Sequence, residues 1–154
     1  MNEQQYPQLY LDNQICFAVY SLSRQITQAY QPLLKPLGLT YPQYLVMLVL
    51  WQAEEEQQLP LTVKMLCERL LLDTGTVTPL LKRMEAAGWL QRSRSQHDER
   101  VVLVNLTDHG LALRRQAAEI PAALAAQSGA DACELVSFRQ QLRRWLTAWL
   151  QRGK

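Results

Sequence analysis

The sequence predicts a mainly α-helical domain with a small β-hairpin, arranged as a winged helix-turn-helix. Three observations support this prediction. Apolar residues recur at helical spacing near both ends of the chain, two short helical segments stand in tandem at its centre, and two β-rich runs flank a polar tip. The 154 residues, 48% hydrophobic and 19% charged, suit a single domain, 1–154, and exclude a fibrous or disordered protein.

Apolar side chains three and four positions apart predict a long amphipathic helix over residues 12–35. Asp12 or Asn13 can cap its start, and Pro32 and Pro36 disturb and end it. We therefore expect a helix with one apolar face near the beginning of the chain.

A second helix is predicted after a turn at Gly38. Thr40 can cap it and Pro42 suits its first turn, and its mostly buried side chains continue to Trp51. A polar loop at residues 54–58 follows the helix.

Two short helices come next and suggest a helix-turn-helix. Pro60 with Thr62 opens the first helix, and the second follows residues 73–76. Pro79 conflicts with a helix interior, so the second helix is expected to start at Thr78 or to bend there.

The β-hairpin is predicted from residues 89–92 and 101–106, on either side of a polar tip at residues 93–100. Thr107 can cap a further helix to about residue 124, which Pro121 bends or ends.

A last amphipathic helix is predicted to start at Asp131 or Ala132. Its apolar residues follow a/d-like spacing, whereas three arginines lie off that face. An apolar stripe this rich in tryptophan requires a partner helix. The stripe comprises Leu135, Phe138, Leu142, Trp145 and Trp149.

The positive charge of the chain is concentrated in one segment. The net charge is +2, from 16 basic and 14 acidic residues. Residues 82–100 hold five basic and three acidic residues, which leaves 11 of each elsewhere. Such a local excess of basic residues is expected of a surface that contacts phosphates. Ordinary surface charge would give the same number of basic residues.

In a winged helix-turn-helix, the second helix of the pair enters the major groove of double-stranded DNA and the hairpin tip reaches a neighbouring groove. The predicted contacts are short side chains that suit base edges and basic side chains that suit phosphates. They are Thr74, Thr76, Val77, Thr78, Lys82 and Arg83 of the second helix, and Arg92, Arg94, Asp98 and Arg100 of the hairpin.

The three cysteines, Cys16, Cys67 and Cys133, are too widely spaced for a disulfide scaffold or a zinc ribbon. Cys16 lies where the first helix is expected to start, and the helix dipole there favours a reactive thiolate, against partial opposition from Asp12. The alternative for Cys16 is a small buried hydrophobe, which is also our interpretation of Cys67.

Longer motifs point to a family. Asp-Glu-Arg at 98–100 with Val-Asn-Leu-Thr at 104–107 resembles the wing of the MarR family. Four further stretches resemble the organic-hydroperoxide-sensing branch of this family, the OhrR repressors. The resemblance covers roughly residues 10–150. The four stretches are Leu-Asp-Asn-Gln-Ile-Cys-Phe-Ala-Val-Tyr from residue 11, Tyr-Gln-Pro-Leu-Leu from 30, Leu-Gly-Leu-Thr-Tyr-Pro-Gln-Tyr-Leu-Val-Met-Leu-Val-Leu-Trp from 37, and Asp-Thr-Gly-Thr-Val-Thr-Pro-Leu-Leu-Lys-Arg from 73.

The resemblance implies a MarR-like homodimer that represses transcription from operator DNA and is oxidised at Cys16 by an organic hydroperoxide. Terminal helices, at about 10–36 and 107–151, would form the dimer interface around a DNA-binding lobe at about 41–106. In this family the wing arginine, here Arg100, inserts into the minor groove and is held by Asp98.

The resemblance also implies that Tyr30 and Tyr41 hydrogen-bond the Cys16 thiol of the other subunit. Geometry supports the intersubunit part, since Cys16 and Tyr30 are separated by roughly 21 Å along one straight helix. The alternative for both tyrosines is amphipathic packing with a solvated hydroxyl.

The chain departs from two-cysteine members of the branch, because Ala126 stands where the resolving cysteine is expected. Cys133 is either a displaced resolving thiol that forms an intersubunit disulfide with Cys16 or a packing residue. In the second case a low-molecular-weight thiol would trap the oxidised Cys16.

Two other functions compete with this one: a MarR-type repressor of small phenolic ligands with a structural Cys16, and a thiol peroxidase. The sequence lacks a Gly-rich phosphate loop and metal-spaced His and Cys residues, so we expect no enzyme, cofactor or metal site. It also lacks a run of 18 apolar residues and, at residues 1–5, the pattern of a signal peptide. We therefore expect a cytoplasmic protein without membrane contact.

Overall fold

The computed structural model describes residues 5–153, so most of the N-terminal stretch used in the signal-peptide argument lies outside the described residues. The chain divides into two compact units, of which the first ends at Ala118 and the second begins at Glu119. Among the described residues, no single helix is long and apolar enough to cross a membrane. Ile15–Leu37 and Tyr41–Glu55 meet the length and composition criteria only as a pair bent by 71°.

Helix α1 spans Ile15–Leu34 and follows two short 3-10 turns. Its N-cap is Gln14, and no side chain caps the helix, so the prediction of Asp12 or Asn13 as the cap is wrong. Asp12 and Asn13 both lie within the second 3-10 turn. The Asn13 side chain donates a hydrogen bond to the carbonyl oxygen of Pro7 at 2.7 Å and does not cap α1.

The end of α1 follows the sequence prediction in part. Pro32 lies within the last turn of the helix and does not end it. A 3-10 turn with Pro36 follows directly, and Gly38 then reverses the chain in the left-handed conformation, with φ 71°. Because glycine adopts positive φ at little cost, this residue suits the turn.

Helices α2 (Tyr41–Glu55), α3 (Val63–Leu70) and α4 (Thr74–Ala86) complete the helix-turn-helix region. Each start is fixed by a residue at the N-cap. Thr40 and Gln43 form a capping box, Thr62 accepts a hydrogen bond from the Met65 backbone, and Asp73 accepts one from the Thr76 backbone. The side-chain acceptors satisfy backbone N–H groups that have no partner in the first turn.

Helix α4 is continuous through Pro79, so the prediction that it starts at Thr78 is wrong. Pro79 lies early in the helix, where its missing N–H leaves only the Gly75 carbonyl without its i+4 donor. Gly75 is exposed, so water can satisfy this carbonyl. The Asp73 cap sets the helix start before the proline is reached.

The described residues form a three-stranded antiparallel sheet with strand order β1-β3-β2, and two of its strands follow α4. Strands β2 (Leu90–Arg94) and β3 (Val102–Leu106) form the predicted hairpin, with Arg94 opposite Val102. The two-residue strand β1 (Leu61–Thr62), which the sequence analysis missed, pairs with β3 through Leu61 opposite Val104. The wing is thereby joined to the start of α3.

The first unit ends with α5, Asp108–Ala117, which Thr107 caps as predicted. The core of the first unit is apolar and contains side chains from every helix and strand from α2 to α5. The side chain of Leu34, at the end of α1, is buried as well. The largest fully buried side chains of helices α2 to α4 and the sheet are Tyr44, Met47, Leu50, Leu61, Leu66, Leu81, Met84 and Leu90.

The second unit contains α6 (Ile120–Ser128) and α7 (Ala132–Arg152). Pro121 lies in the first turn of α6, so the expected helix from Thr107 to about residue 124 is two helices. Asp131 and Glu134 form a capping box at the start of α7, as the sequence predicts for that start. Among the described residues of α7, none is buried.

Candidate DNA-binding surface and thiol site

The exposed face of α4 carries most of the predicted major-groove contacts. Thr74, Thr76, Lys82 and Arg83 are exposed, and Thr78 is half-buried. Val77 has no exposed surface, so its prediction as a base contact is wrong. The helix must bury one face against α2 and α3, and Val77 falls on that face together with Leu81 and Met84.

The first turn of α4 is held by Asp73. Its carboxylate accepts from the Thr76 backbone at 2.8 Å and from the Thr76 hydroxyl at 2.9 Å. Hydrogen bonds to the charged form keep the pKa of Asp73 below its ordinary value. The Thr76 side chain is therefore held in one orientation at the exposed end of the helix.

Arg92, which the sequence analysis assigned to DNA, pairs with a carboxylate of α4. Its guanidinium donates to Glu85 of α4 at 2.7 and 3.0 Å, and its backbone N–H donates to the same carboxylate at 2.7 Å. Only 23% of the Arg92 side chain is exposed. Arg92 thus joins the base of the wing to α4, and the donors lower the pKa of the Glu85 carboxyl.

The hairpin tip presents two arginines. Arg94 donates across the turn to the Glu99 carbonyl oxygen at 2.8 Å. Arg100 pairs with Asp98, whose pKa is lowered by the hydrogen bonds that it accepts from the Arg100 side chain and backbone. The Arg100 side chain is 91% exposed, so the tip holds a cation outward on a short turn.

A cluster of tyrosines lies where the end of α1 meets the start of α2. The ring centroid of Tyr30 is 4.8 Å from that of Tyr41 and 5.5 Å from that of Tyr44. Burial raises the pKa of all three phenols, in the case of Tyr44 to about 12, and nearby phenols add to the shift for Tyr30 and Tyr44. At neutral pH these hydroxyls are protonated and can donate hydrogen bonds.

The sequence analysis paired Tyr30 with Tyr41 but treated Tyr44 only as part of a buried helix. Tyr44 is buried, with 1% of its surface exposed, and it belongs to the same cluster. Its position three residues after Tyr41 on α2 was the signal available in the sequence. Among the described residues, the three hydroxyls make no hydrogen bond.

The cysteines differ in exposure. Cys16 and Cys133 are exposed, and each is the second residue of its helix, α1 and α7. Cys67 is buried on α3 with its sulfur 3.8 Å from the Thr74 hydroxyl, which confirms its assignment to the core. Over residues 5–153, no three His, Cys, Asp or Glu side chains are grouped to hold a metal ion.

Comparison with known proteins identifies the family. The family model described as transcriptional regulator SarA/Rot matches residues 28–115. The organic hydroperoxide resistance transcriptional regulator of Bacillus subtilis (strain 168) is 47% identical over 138 residues, which are 88% of this chain and 90% of the relative. The chain belongs to the MarR family, in the organic hydroperoxide resistance branch. This membership confirms the resemblance found in the sequence.

Solved structures confirm the fold class of this MarR-family chain. Reduced AbfR bound to DNA is 36% identical, with a TM-score of 0.73 over 93% of this chain and 96% of AbfR. Disulfide-formed AbfR is also 36% identical, with a TM-score of 0.58 over 90% of this chain and 94% of AbfR. AbfR is a protein of Staphylococcus epidermidis. The relative from Bacillus subtilis is named a transcriptional regulator.

Proposed function

We propose that this MarR-family regulator is a homodimeric repressor that binds operator DNA while Cys16 is reduced and releases it when an organic hydroperoxide oxidises Cys16. The observation that carries the proposal is that two protonated phenols, Tyr30 and Tyr41, lie together where α1 meets α2, whereas an exposed thiol lies at the start of α1. The relative from Bacillus subtilis is named for resistance to organic hydroperoxides.

The length of α1 supports a dimer. Cys16 and Tyr30 are roughly 21 Å apart along this helix, so a thiol that reaches the phenols belongs to a second copy of the chain. Exposed apolar residues supply a surface for that copy. On α7, 45% of Phe138, 57% of Trp145 and 73% of Trp149 are exposed. A group of exposed large apolar side chains on one helix is typical of a surface that binds another protein chain.

The chemistry needs only the thiol and the peroxide. The Cys16 thiolate attacks the terminal peroxide oxygen, forming an S–O bond as the O–O bond breaks. The alkoxide leaves with the electron pair of the O–O bond and takes a proton from water to become the alcohol, and the sulfur is oxidised to a sulfenic acid. Phenolic O–H donors stabilise negative charge on sulfur or oxygen, which is the role we give to the Tyr30 and Tyr41 hydroxyls.

A second thiol then displaces water from the sulfenic acid to form a disulfide. Cys133 is one source, since it is exposed at the second position of α7. A low-molecular-weight thiol is the other. Because either disulfide is reversible by reduction, either one makes Cys16 a switch.

The DNA-binding surface fits the reduced state of this switch. We assign the α4 residues Thr74, Thr76 and Thr78, with Lys82 and Arg83, to the major groove, and Arg94 and Arg100 of the wing to an adjacent groove. Oxidation breaks the contact between Cys16 and the partner's phenols, and the two DNA-bound helices then change separation. Because its ligand is chromosomal DNA, we place the repressor in the cytoplasm.

The decisive experiment measures binding to a duplex selected by the reduced protein from a random-sequence library. Wild type, Cys16→Ser and Cys133→Ser are compared before one equivalent of cumene hydroperoxide, after it, and after dithiothreitol. We expect wild type to release DNA reversibly and Cys16→Ser to retain it. A crosslinked dimer on a non-reducing gel that is lost in Cys133→Ser identifies Cys133 as the resolving thiol.

The other outcomes point elsewhere. Peroxide-insensitive binding by wild type contradicts the proposal and favours a repressor of phenolic ligands. Repeated turnover of peroxide in the presence of excess thiol, instead of stoichiometric consumption, favours a peroxidase.

A further inference from the structure

Four aromatic residues connect the α1–α2 junction with the middle of the first unit. We call Tyr30, Tyr41, Tyr44 and Trp51 the aromatic column. The Tyr30 ring lies against the rings of Tyr41 and Tyr44. The rings of Tyr44 and Trp51 meet edge to face, with their centroids 6.3 Å apart. The Tyr44–Trp51 contact joins two buried rings, and edge-to-face contacts are specific in geometry, so this part of the column has a defined arrangement.

The far end of the column is a buried hydrogen bond. The indole N–H of Trp51 donates to the carbonyl oxygen of Gly110 in α5 at 2.9 Å, and only 5% of Trp51 is exposed. Trp51 and Gly110 are 59 residues apart in the chain. An indole has a single donor, and burying that donor without an acceptor is costly, so this bond fixes α2 against α5.

Gly110 in turn belongs to the base of the wing. Its backbone N–H donates to the Thr107 hydroxyl at 3.0 Å, and that hydroxyl donates to the Gly88 carbonyl oxygen at 2.6 Å. Thr107 follows β3 directly and Gly88 lies two residues before β2. The two ends of the hairpin are therefore held at the point where Trp51 attaches.

We propose that Trp51 is a positioning residue that couples the Tyr30–Tyr41 site to the wing through its hydrogen bond to Gly110. The proposal rests on the proposed function, in which oxidation of Cys16 changes the contacts of these phenols. Tyr41 is the first residue of α2 and Trp51 lies ten residues later, roughly 15 Å along a rigid helix. A shift at the phenols is thereby carried to the base of the hairpin that holds Arg100.

Trp51→Phe tests the coupling, because it removes the indole N–H and keeps an aromatic ring. Trp89→Phe is the matched control. Trp89 is 8% exposed, and within the described residues its indole N–H makes no hydrogen bond. For wild type and both variants, we would measure the rate of Cys16 oxidation by cumene hydroperoxide and the Kd for the selected duplex in the reduced and oxidised states.

We expect Trp51→Phe to be oxidised at the wild-type rate, while the ratio of oxidised to reduced Kd falls roughly 2- to 30-fold. Trp89→Phe should keep the wild-type ratio. An unchanged ratio in Trp51→Phe overturns the proposal, as does an equal loss in Trp89→Phe, because general weakening of the core would then explain both. If wild type itself keeps its DNA after oxidation, the proposed function and the coupling both fail.

A second measurement does not depend on the folding of Trp51→Phe. Wild type labelled with 5-fluorotryptophan has four fluorine signals, and Trp89→Phe, Trp145→Phe and Trp149→Phe assign the Trp51 signal by elimination. We expect the Trp51 signal of the DNA-free protein to shift when Cys16 is oxidised and to return with dithiothreitol. A Trp51 signal that does not respond to oxidation overturns the proposal.

Discussion

The carboxylate of Asp98 holds the guanidinium of Arg100 at the hairpin tip, with Arg100 Nε 3.1 Å from Asp98 Oδ1. The Arg100 backbone N–H donates to the same oxygen at 3.0 Å. An ion pair this exposed contributes little to folding stability. Its consequence is orientation, since it limits the positions from which Arg100 can enter a groove of DNA.

Arg100→Ala should weaken binding to the selected duplex by about tenfold and reduce the slope of log Kd against log salt by about one. Asp98→Asn keeps Arg100 but loses the charged partner, so we expect a smaller loss. Arg115→Ala, which removes an exposed arginine from α5, is the control for charge alone. Fluorescence anisotropy over a salt series measures both quantities, and equal effects of Arg100→Ala and Arg115→Ala would contradict the assignment.

Tyr41→Phe should slow the oxidation of Cys16 by roughly tenfold, because a hydrogen bond to a charged group is lost. Burial raises the pKa of Tyr41 above its ordinary value of 10.0, so its hydroxyl stays a donor throughout the physiological range. The difference between wild type and Tyr41→Phe should therefore persist from pH 7 to 9. Thiol titration during reaction with cumene hydroperoxide measures the rate, and Tyr6→Phe controls for the loss of a phenol elsewhere. A wild-type rate in Tyr41→Phe would remove Tyr41 from the thiol site.

Glu85→Gln should destabilise the protein by about 1 kcal/mol at neutral pH, because the ion pair that joins α4 to the wing is lost. Donation from Arg92 lowers the folded-state pKa of Glu85 below the ordinary 4.5. The stabilisation is therefore fully present above about pH 5 and is lost as the pH falls through the folded-state pKa. Urea denaturation of wild type and Glu85→Gln between pH 3 and 7 measures it. A difference that does not shrink below pH 4 would argue against the ion pair, and Glu55→Gln, at an exposed residue, is the control.

Gly110→Ala should destabilise the protein by about 3 kcal/mol, although alanine is the better helix former. A Cβ atom at Gly110 would overlap the Trp89 carbonyl oxygen, and backbone there cannot move as a flexible side chain would. Gly153→Ala is the comparison, since its Cβ would only touch the Trp149 carbonyl oxygen at 4.0 Å. Thermal unfolding followed by circular dichroism distinguishes them. A melting temperature of Gly110→Ala at or above that of wild type would contradict the close packing of α5 on the wing.

Helix starts were predictable where the residues that make them are neighbours in the sequence. Thr40 and Thr107 cap the helices for which they were proposed as caps, and the Asp98–Arg100 pair spans two residues. Thr62 and Asp131 are the N-caps of helices that were predicted to start there. Side-chain and backbone groups this close meet whatever the rest of the chain does. The same locality explains the failure at α1, where two 3-10 turns offered the Asn13 side chain a competing local acceptor.

By itself, the sequence determined the winged helix-turn-helix class, the family, and the position of Cys16 at the start of a long helix. The tertiary structure decided which face of α4 is buried, so that Val77 lies in the core. It also decided that Arg92 pairs with Glu85, that Tyr44 joins Tyr30 and Tyr41, and that Leu61 extends the sheet. Periodicity and capping depend on residues within one helical turn, whereas these contacts depend on which elements pack together, and packing is set by the whole core.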